Sequence, residues 1–98
     1  MIELGGNIEL VGFRELEPSK LVVVKKIVGN YARKMADTSQ NFEKLTVTVK
    51  PIGSEGKKFE IKSKVMDNGI PHTSEVSDFN LFMVLDKSLS KVYMSLNK

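Results

Sequence analysis

Two segments of this chain repeat apolar residues at alternating intervals of three and four, which is the spacing of an α-helix with one buried face. The two series are Leu21, Val24, Val28, Tyr31 and Met35, and Phe82, Leu85, Leu89, Val92 and Leu96. Pro18 suits the first turn of the first helix, where an N–H would have no helical partner, and polar residues 37–41 predict its end. Asp78 is the expected N-cap of the second helix. Because each helix has one apolar stripe, each needs an apolar surface to cover that stripe, and this limits the possible folds.

That surface is predicted to be a sheet, because apolar and polar residues alternate elsewhere in the chain with the period of a half-buried strand. Strands are expected over residues 7–13, 44–50 and 57–65, with a short edge strand over 72–77. Turns are expected over 53–56 and 67–69. The predicted fold class is α+β: a two-layer sandwich of order β-α-β-β-β-α, with two helices packed on one face of a four-stranded, mainly antiparallel sheet.

Length and composition predict one folded domain, residues 1–98, with 41% hydrophobic and 28% charged residues. The chain has no cysteine, which excludes disulfides, thiolate nucleophiles and cysteine zinc sites and is compatible with the cytoplasm, the expected location. Its longest apolar runs, 21–24 and 81–85, are far shorter than a membrane span, and its first residues lack the basic region of a secretory signal. No membrane partner is expected.

The titratable residues do not form a recognisable catalytic or metal-binding motif. His72 is the one histidine, in a predicted turn or edge region, and no partner for a triad or a metal site can be assigned to it. Gly53 and Gly56 lack the lysine and hydroxyl residue that end a phosphate loop. Asp86 is expected to be a solvated helix residue. The sequence therefore predicts no enzyme activity, no cofactor, no metal and no small-molecule substrate.

Basic residues are the most suggestive feature of the chain, whose formal net charge is +3. Phosphate binding requires lysine and arginine clustered along one surface, since its strength comes from counterion release. The candidate nucleic-acid-binding residues are those on the two predicted helices: Lys25, Lys26, Arg33, Lys34, Lys87 and Lys91. Further lysines, at 58, 62 and 64, share the outer face of the third strand with Glu60. For any one of these lysines the alternative is a solvated side chain that serves solubility. Base stacking would need exposed aromatic rings, for which Phe13 and Phe79 are the candidates.

The segment 80–96 resembles the last helix of the ribosome hibernation-promoting and ribosome-associated inhibitor proteins. Phe82 takes the aromatic position of that helix, Leu85 an apolar position, Asp86 the aspartate and Lys91 the lysine. The strands over 45–49 and 58–62 fall where that family has its middle hairpin, and the order of elements agrees.

The chain also departs from the pattern of that family. Asn80 stands in place of an acidic residue, and Met83 and Val84 stand in place of small residues. The first helix has fewer paired lysines than the family usually has.

The resemblance implies a double-stranded-RNA-binding-domain-like sandwich that docks on ribosomal RNA in the small subunit. It implies a non-catalytic, ribosome-associated regulator of translation, with ribosomal or other structured RNA as its partner. One alternative is a protein–protein interaction module, with a homodimer through the edge strand and Phe79, Met83 and Met94 as an added apolar patch. A third hypothesis, a small-molecule or enzymatic role, requires a deep pocket with convergent polar groups.

Overall fold

A computed structural model of the chain describes residues 2–3, 7–14, 16–39, 41–53 and 58–96. Its elements are β1 (Ile2–Glu3), β2 (Ile8–Val11), α1 (Pro18–Thr38), β3 (Phe42–Ile52), β4 (Lys58–Asp67), β5 (Ile70–Asp78) and α2 (Leu81–Leu96). The predicted order β-α-β-β-β-α is confirmed, and β1 is an additional two-residue strand before it. The predicted turn residues Ser54, Glu55 and Gly56, and Lys57 at the predicted start of the third strand, lie outside the described residues. Within these ranges, neither helix combines the length and apolarity needed to cross a membrane.

The strands form one sheet in the order β1-β2-β3-β4-β5. β2 pairs parallel with β3, and the other neighbours pair antiparallel. α1 connects the parallel pair, because a chain that leaves one end of a strand must cross the sheet to start a parallel neighbour. β4 and β5 are joined by Asn68 and Gly69, whose φ angles of 52° and 78° fit a tight hairpin turn. The predicted edge strand therefore exists and is longer than residues 72–77.

The core lies between one face of the sheet and the two helices. Its members from α1 are Val24, Val28, Ala32 and Met35, those from α2 are Leu81, Val84, Leu85, Leu89 and Val92, and those from the sheet include Leu10, Leu45, Val47, Ile61 and Val65. The two predicted apolar stripes thus both meet the apolar face of the sheet, and the α+β sandwich is confirmed.

The helices run parallel to each other. The Tyr31 hydroxyl of α1 donates to Asp86 Oδ1 of α2 over 2.8 Å, and two turns further on the hydroxyls of Thr38 and Tyr93 are 3.4 Å apart. Both contacts join residues 55 positions apart in the sequence, so the two helices run in the same direction. Both helix N-termini therefore lie at one end of the sandwich.

A small polar cluster lies between α2 and the sheet. Ser88 of α2 and Ser63 of β4 are buried, and their hydroxyl oxygens are 2.8 Å apart. Ser74 of β5 donates to the carbonyl oxygen of Ser88 over 2.6 Å. Every buried side-chain nitrogen or oxygen in the described part of the chain has a hydrogen-bond partner, as low-dielectric surroundings require.

The N-cap of α2 is Asn80, so the prediction that Asp78 caps this helix is wrong. Asn80 Oδ1 accepts hydrogen bonds from the backbone N–H groups of Phe82 and Met83, at 3.0 and 3.2 Å. Asp78 is the last residue of β5, where it lies opposite Phe59. Because β5 continues through Asp78, the helix starts later than the sequence predicts.

Phe13 is fully buried, so its prediction as an exposed aromatic ring is wrong. Gly12 has a φ of +83° and turns the chain immediately after β2, which ends the strand alternation and directs Phe13 into the core. A Cβ atom on Gly12 would lie 2.5 Å from the carbonyl oxygen of Val49. Glycine is therefore required at this turn both for its φ and for the space.

Candidate nucleic-acid interface

The six predicted phosphate-binding residues are all exposed on the helix layer. α1 and α2 together contain seven lysines and arginines and two aspartates, whereas the rest of the chain contains eight basic and ten acidic residues. The positive charge of the protein is therefore concentrated in its helices, and the remainder of the chain has a small negative excess. Such an asymmetry attracts an anionic partner to one side of a molecule.

On α1, the four predicted residues are spread over about half of the helix circumference. Lys26 and Arg33 are two turns apart and nearly in line, since seven residues at ~100° each complete almost two full rotations. Lys34 lies next to Arg33, about 80° around the axis from Lys26. Lys25 lies about 180° from Lys34 and points to the opposite flank. Lys26 and Arg33 thus lie between the other two, within about 100° of both, and only Lys25 and Lys34 are on opposite sides of the helix.

Lys34 stands beside the seam between the helices. Its Nζ lies 5.4 Å from the centroid of the Tyr31 ring, a cation–π distance. The Tyr31 ring contacts the Tyr93 ring edge-on, with centroids 6.4 Å apart. Burial, followed by the hydrogen bond to Asp86 and the negative charge of Asp86, raises the pKa of Tyr31 above its ordinary value. The ammonium group of Lys34 therefore lies near the Tyr31 ring, which is itself held by contacts with α2.

On α2, Lys87 and Lys91 are one turn apart on the flank of the helix that faces away from Asp86 and the seam. Lys87 Nζ lies 3.6 Å from Asp78 Oδ2. The backbone N–H of Phe79, and after it the charge of Lys87, hold the pKa of Asp78 below its ordinary value. The α1 and α2 cations therefore form two groups on either side of the helix seam, so they do not form one cluster.

The open face of the sheet has a mixed charge. Lys44 forms an ion pair with Glu9 on the neighbouring strand. Lys62 Nζ lies 3.9 Å from Glu60 and is opposite Glu75 in the β4–β5 register. By contrast, Lys25, Lys26, Arg33 and Lys91 form no ion pair with any other described residue. The sheet face is an open trough whose lysines lie among glutamates.

His72 lies on β5 and not in a turn, and it is half-buried. Its Nδ1 is 3.0 Å from the hydroxyl oxygen of Ser95 near the end of α2. Among the described residues, no three histidine, cysteine, aspartate or glutamate side chains are placed to hold a metal ion. The His72–Ser95 contact joins β5 to α2.

The fold is shared with two solved structures. The chain is similar to the N-terminal domain of Protein Y from Thermus thermophilus, with 18% identity, a TM-score of 0.65 and coverage of 92% of each chain. It is also similar to a ribosomal subunit interface protein from Coxiella burnetii, with 12% identity, a TM-score of 0.57 and coverage of 92% of this chain and 90% of the other. No protein-family model matches the sequence, and a search of curated proteins gave no match. The resemblance first found in residues 80–96 is therefore confirmed as a likeness of fold that extends over most of the chain.

Two features of the helix layer were not predicted from the sequence. Asp86 is exposed as predicted, but it also accepts the Tyr31 hydroxyl. The sequence contains a signal for this hydrogen bond, because a tyrosine that is packed on an apolar stripe needs a partner for its hydroxyl. Ser88 lies one turn after Val84 on the apolar stripe of α2, so its burial also followed from spacing alone.

Proposed function

We propose that this protein is a non-catalytic, ribosome-associated RNA-binding regulator that acts by occupying its site. In this function Lys26, Arg33 and Lys34 of α1 and the Lys87 and Lys91 pair of α2 contact phosphates of ribosomal or other structured RNA. The sheet and core hold the two helices at a fixed spacing. A protein with this function acts in the cytoplasm.

The observation that carries the proposal is the one-sided charge of the molecule. The helix layer has a positive excess and cations without described acidic partners, whereas the lysines of the sheet face are interleaved with glutamates. Phosphate contacts made from such a surface recognise the shape and charge of a nucleic acid and do not read its sequence. The fold similarity to a ribosomal subunit interface protein supports a ribosomal partner.

Sedimentation with ribosomes and separated subunits at low and moderate salt tests the proposal. The wild-type protein is expected to sediment with the small subunit at low salt and to be released as salt rises, because each phosphate contact releases counterions. The variant Lys26→Glu, Arg33→Glu, Lys34→Glu is expected to remain at the top of the gradient.

The matched control changes the open face of the sheet instead of the helices. The variant Lys62→Glu, Lys64→Glu also reverses exposed cations, and it should sediment as the wild type does. If both variants are released equally, the net charge of the protein and not the helix surface determines binding. If the wild-type protein never sediments with subunits, the ribosomal function is wrong.

A second candidate function is self-association through β5. This strand is at the edge of the sheet, is nine residues long, and starts at Ile70, a half-exposed apolar side chain. An edge of this length offers backbone groups for pairing with a second copy, although Pro71 removes one donor and Glu75 places a charge on it. A mass from light scattering that rises with concentration, and that Thr73→Pro returns to the monomer value, would support the homodimer.

A further inference from the structure

Phe79 is the most exposed large apolar side chain in the described part of the chain, with 69% of its surface accessible. It lies between the end of β5 and the start of α2. Its N–H donates to the Asp78 carboxylate over 2.6 Å, and on its other side Asn80 caps the helix. The exposed ring is thus presented from a backbone that is held on both sides.

One ammonium group lies over this ring, and a second contacts the carboxylate of the residue before it. Lys58 Nζ, at the start of β4, lies 5.7 Å from the centroid of the Phe79 ring. Lys87 Nζ, on the first half of α2, lies 3.6 Å from the carboxylate of Asp78, the residue before Phe79. The N-terminus of α2 adds the positive end of its helix dipole.

An exposed ring with one cation over it and a second cation beside the preceding residue fits the chemistry of a nucleotide. The face of a base stacks on an aromatic ring, and this contact accepts any base because every base has a π face. The phosphates on either side of that base pair with lysine ammonium groups. An apolar peptide would instead need apolar neighbours around Phe79, and Lys58, Asp78 and Lys87 are charged.

We propose that Phe79 is a stacking platform for one unpaired nucleotide of RNA, with Lys58 and Lys87 at the adjacent phosphates. This inference rests on the proposed function and makes it more specific. The bound RNA then contains an unstacked base beside the region that the helices contact.

The chain contains no tryptophan, so Phe79→Trp introduces a single indole at the platform. Ile70→Trp is the matched control, because Ile70 is also exposed, at 58%, and lies at the other end of β5. A short adenosine homopolymer is expected to quench the indole at position 79 and to leave the indole at position 70 unchanged. A blunt RNA duplex with the same number of nucleotides is expected to quench neither.

Affinity gives an independent readout with the native residue. Phe79→Ala is expected to weaken binding to a duplex with one bulged adenosine by about 10-fold, since stacking on one base contributes about that much. Phe79→Leu should behave as the alanine variant does, because it keeps apolar surface and loses the flat ring, while Phe79→Tyr should bind as the wild type does. Binding to the blunt duplex should be the same for all four proteins.

The outcomes separate this proposal from the proposed function. If the wild-type protein sediments with ribosomal subunits but Phe79→Ala binds the bulged duplex equally well, the stacking platform is wrong and the ribosomal function stands. If the protein does not sediment with ribosomes or subunits but the homopolymer quenches the indole at position 79, the platform stands and the ribosomal partner is wrong. If no RNA quenches this indole, the platform is overturned. If its emission changes with protein concentration alone, the platform is also overturned, and the exposed ring belongs to a contact between protein molecules.

Discussion

At the scale of single residues, Ser88 and Tyr31 determine how α2 meets its neighbours. Ser88 is polar but fully buried, and its hydroxyl oxygen lies within 2.9 Å of the hydroxyl oxygens of both Ser63 and Ser74. Tyr31 is half-buried and links α1 to Asp86 of α2. Hydroxyl contacts of this kind have a fixed geometry, whereas apolar contacts do not, so they select one position of the helix on the sheet.

Ser88→Ala is expected to lower the free energy of unfolding by about 1–3 kcal/mol, because it leaves the buried Ser63 hydroxyl without its partner. Urea unfolding measures this change, with Ser77→Ala on the exposed side of β5 as the control, expected to stay within about 0.5 kcal/mol. The double variant Ser63→Ala, Ser88→Ala should cost less than the sum of the two single changes, since it removes both members of the pair. A strictly additive double variant would show that the two hydroxyls do not interact.

The raised pKa of Tyr31 makes a second prediction at this scale. Because the folded state holds the tyrosine proton more tightly than the unfolded chain does, the stabilisation from neutral Tyr31 is complete below pH about 10 and is lost as pH rises through the higher folded pKa. The chain has two tyrosines, so Tyr93→Phe leaves Tyr31 as the only one, and ultraviolet absorbance then reports its ionisation directly.

In that background, Tyr31 should titrate above its ordinary value of 10.0. Adding Asp86→Asn should lower the pKa of Tyr31 only part of the way, because burial is the largest cause of the shift and the aspartate charge is a smaller one. A Tyr31 that titrates normally in the folded protein would contradict the packed seam.

At the scale of elements, the connection from β2 to α1 depends on one glycine. Gly12 and Gly69 have similar positive φ angles, 83° and 78°. A Cβ atom at Gly12 would lie 2.5 Å from the carbonyl oxygen of Val49, whereas one at Gly69 would meet nothing within 4 Å. A substitution therefore strains the backbone at both turns, but only at Gly12 does it also produce a steric overlap with Val49.

Gly12→Ala is expected to lower the free energy of unfolding by about 2–4 kcal/mol, from the strained φ and the displaced β3 backbone together. Gly69→Ala, which has only the strain, should cost about 1–2 kcal/mol. Chemical unfolding of the two variants isolates the contribution of the close contact with Val49. Equal losses would mean that β3 moves away from Gly12 at no cost.

The elements also indicate which parts of the fold the sequence predicts. Both helices and the middle hairpin follow from periodicity, because their apolar faces are long and regular. The N-cap of α2 did not follow, since Asp78 and Asn80 are both good caps and only the length of β5 selects Asn80. The burial of Phe13 was predicted wrongly because the turn at Gly12 interrupts the alternation of inward and outward side chains. No local sequence pattern shows the direction of the chain after such a turn.

At the scale of the whole molecule, the parallel helices determine the arrangement of charge. The predicted cations were identified from their residue type and exposure, but their grouping depends on where the seam falls. Tyr31 and Asp86 mark the seam, with Lys34 beside it and the Lys87 and Lys91 pair on the far flank of α2. Sequence alone did not predict this division, because it depends on how two distant segments pack together.

The salt dependence of RNA binding tests this arrangement as a property of the whole surface. Lys26→Gln, Arg33→Gln removes two proposed phosphate contacts, so the plot of log affinity against log salt should become shallower by about 1.5 units. Lys62→Gln, Lys64→Gln on the sheet face removes the same net charge and should leave that slope unchanged. Fluorescence anisotropy of one labelled RNA hairpin over a potassium chloride series measures all three slopes. A helix variant with the wild-type slope would mean that the RNA phosphates do not contact Lys26 and Arg33. Equal slope losses in both variants would mean that the RNA responds to the total charge of the protein and prefers neither the helices nor the sheet face.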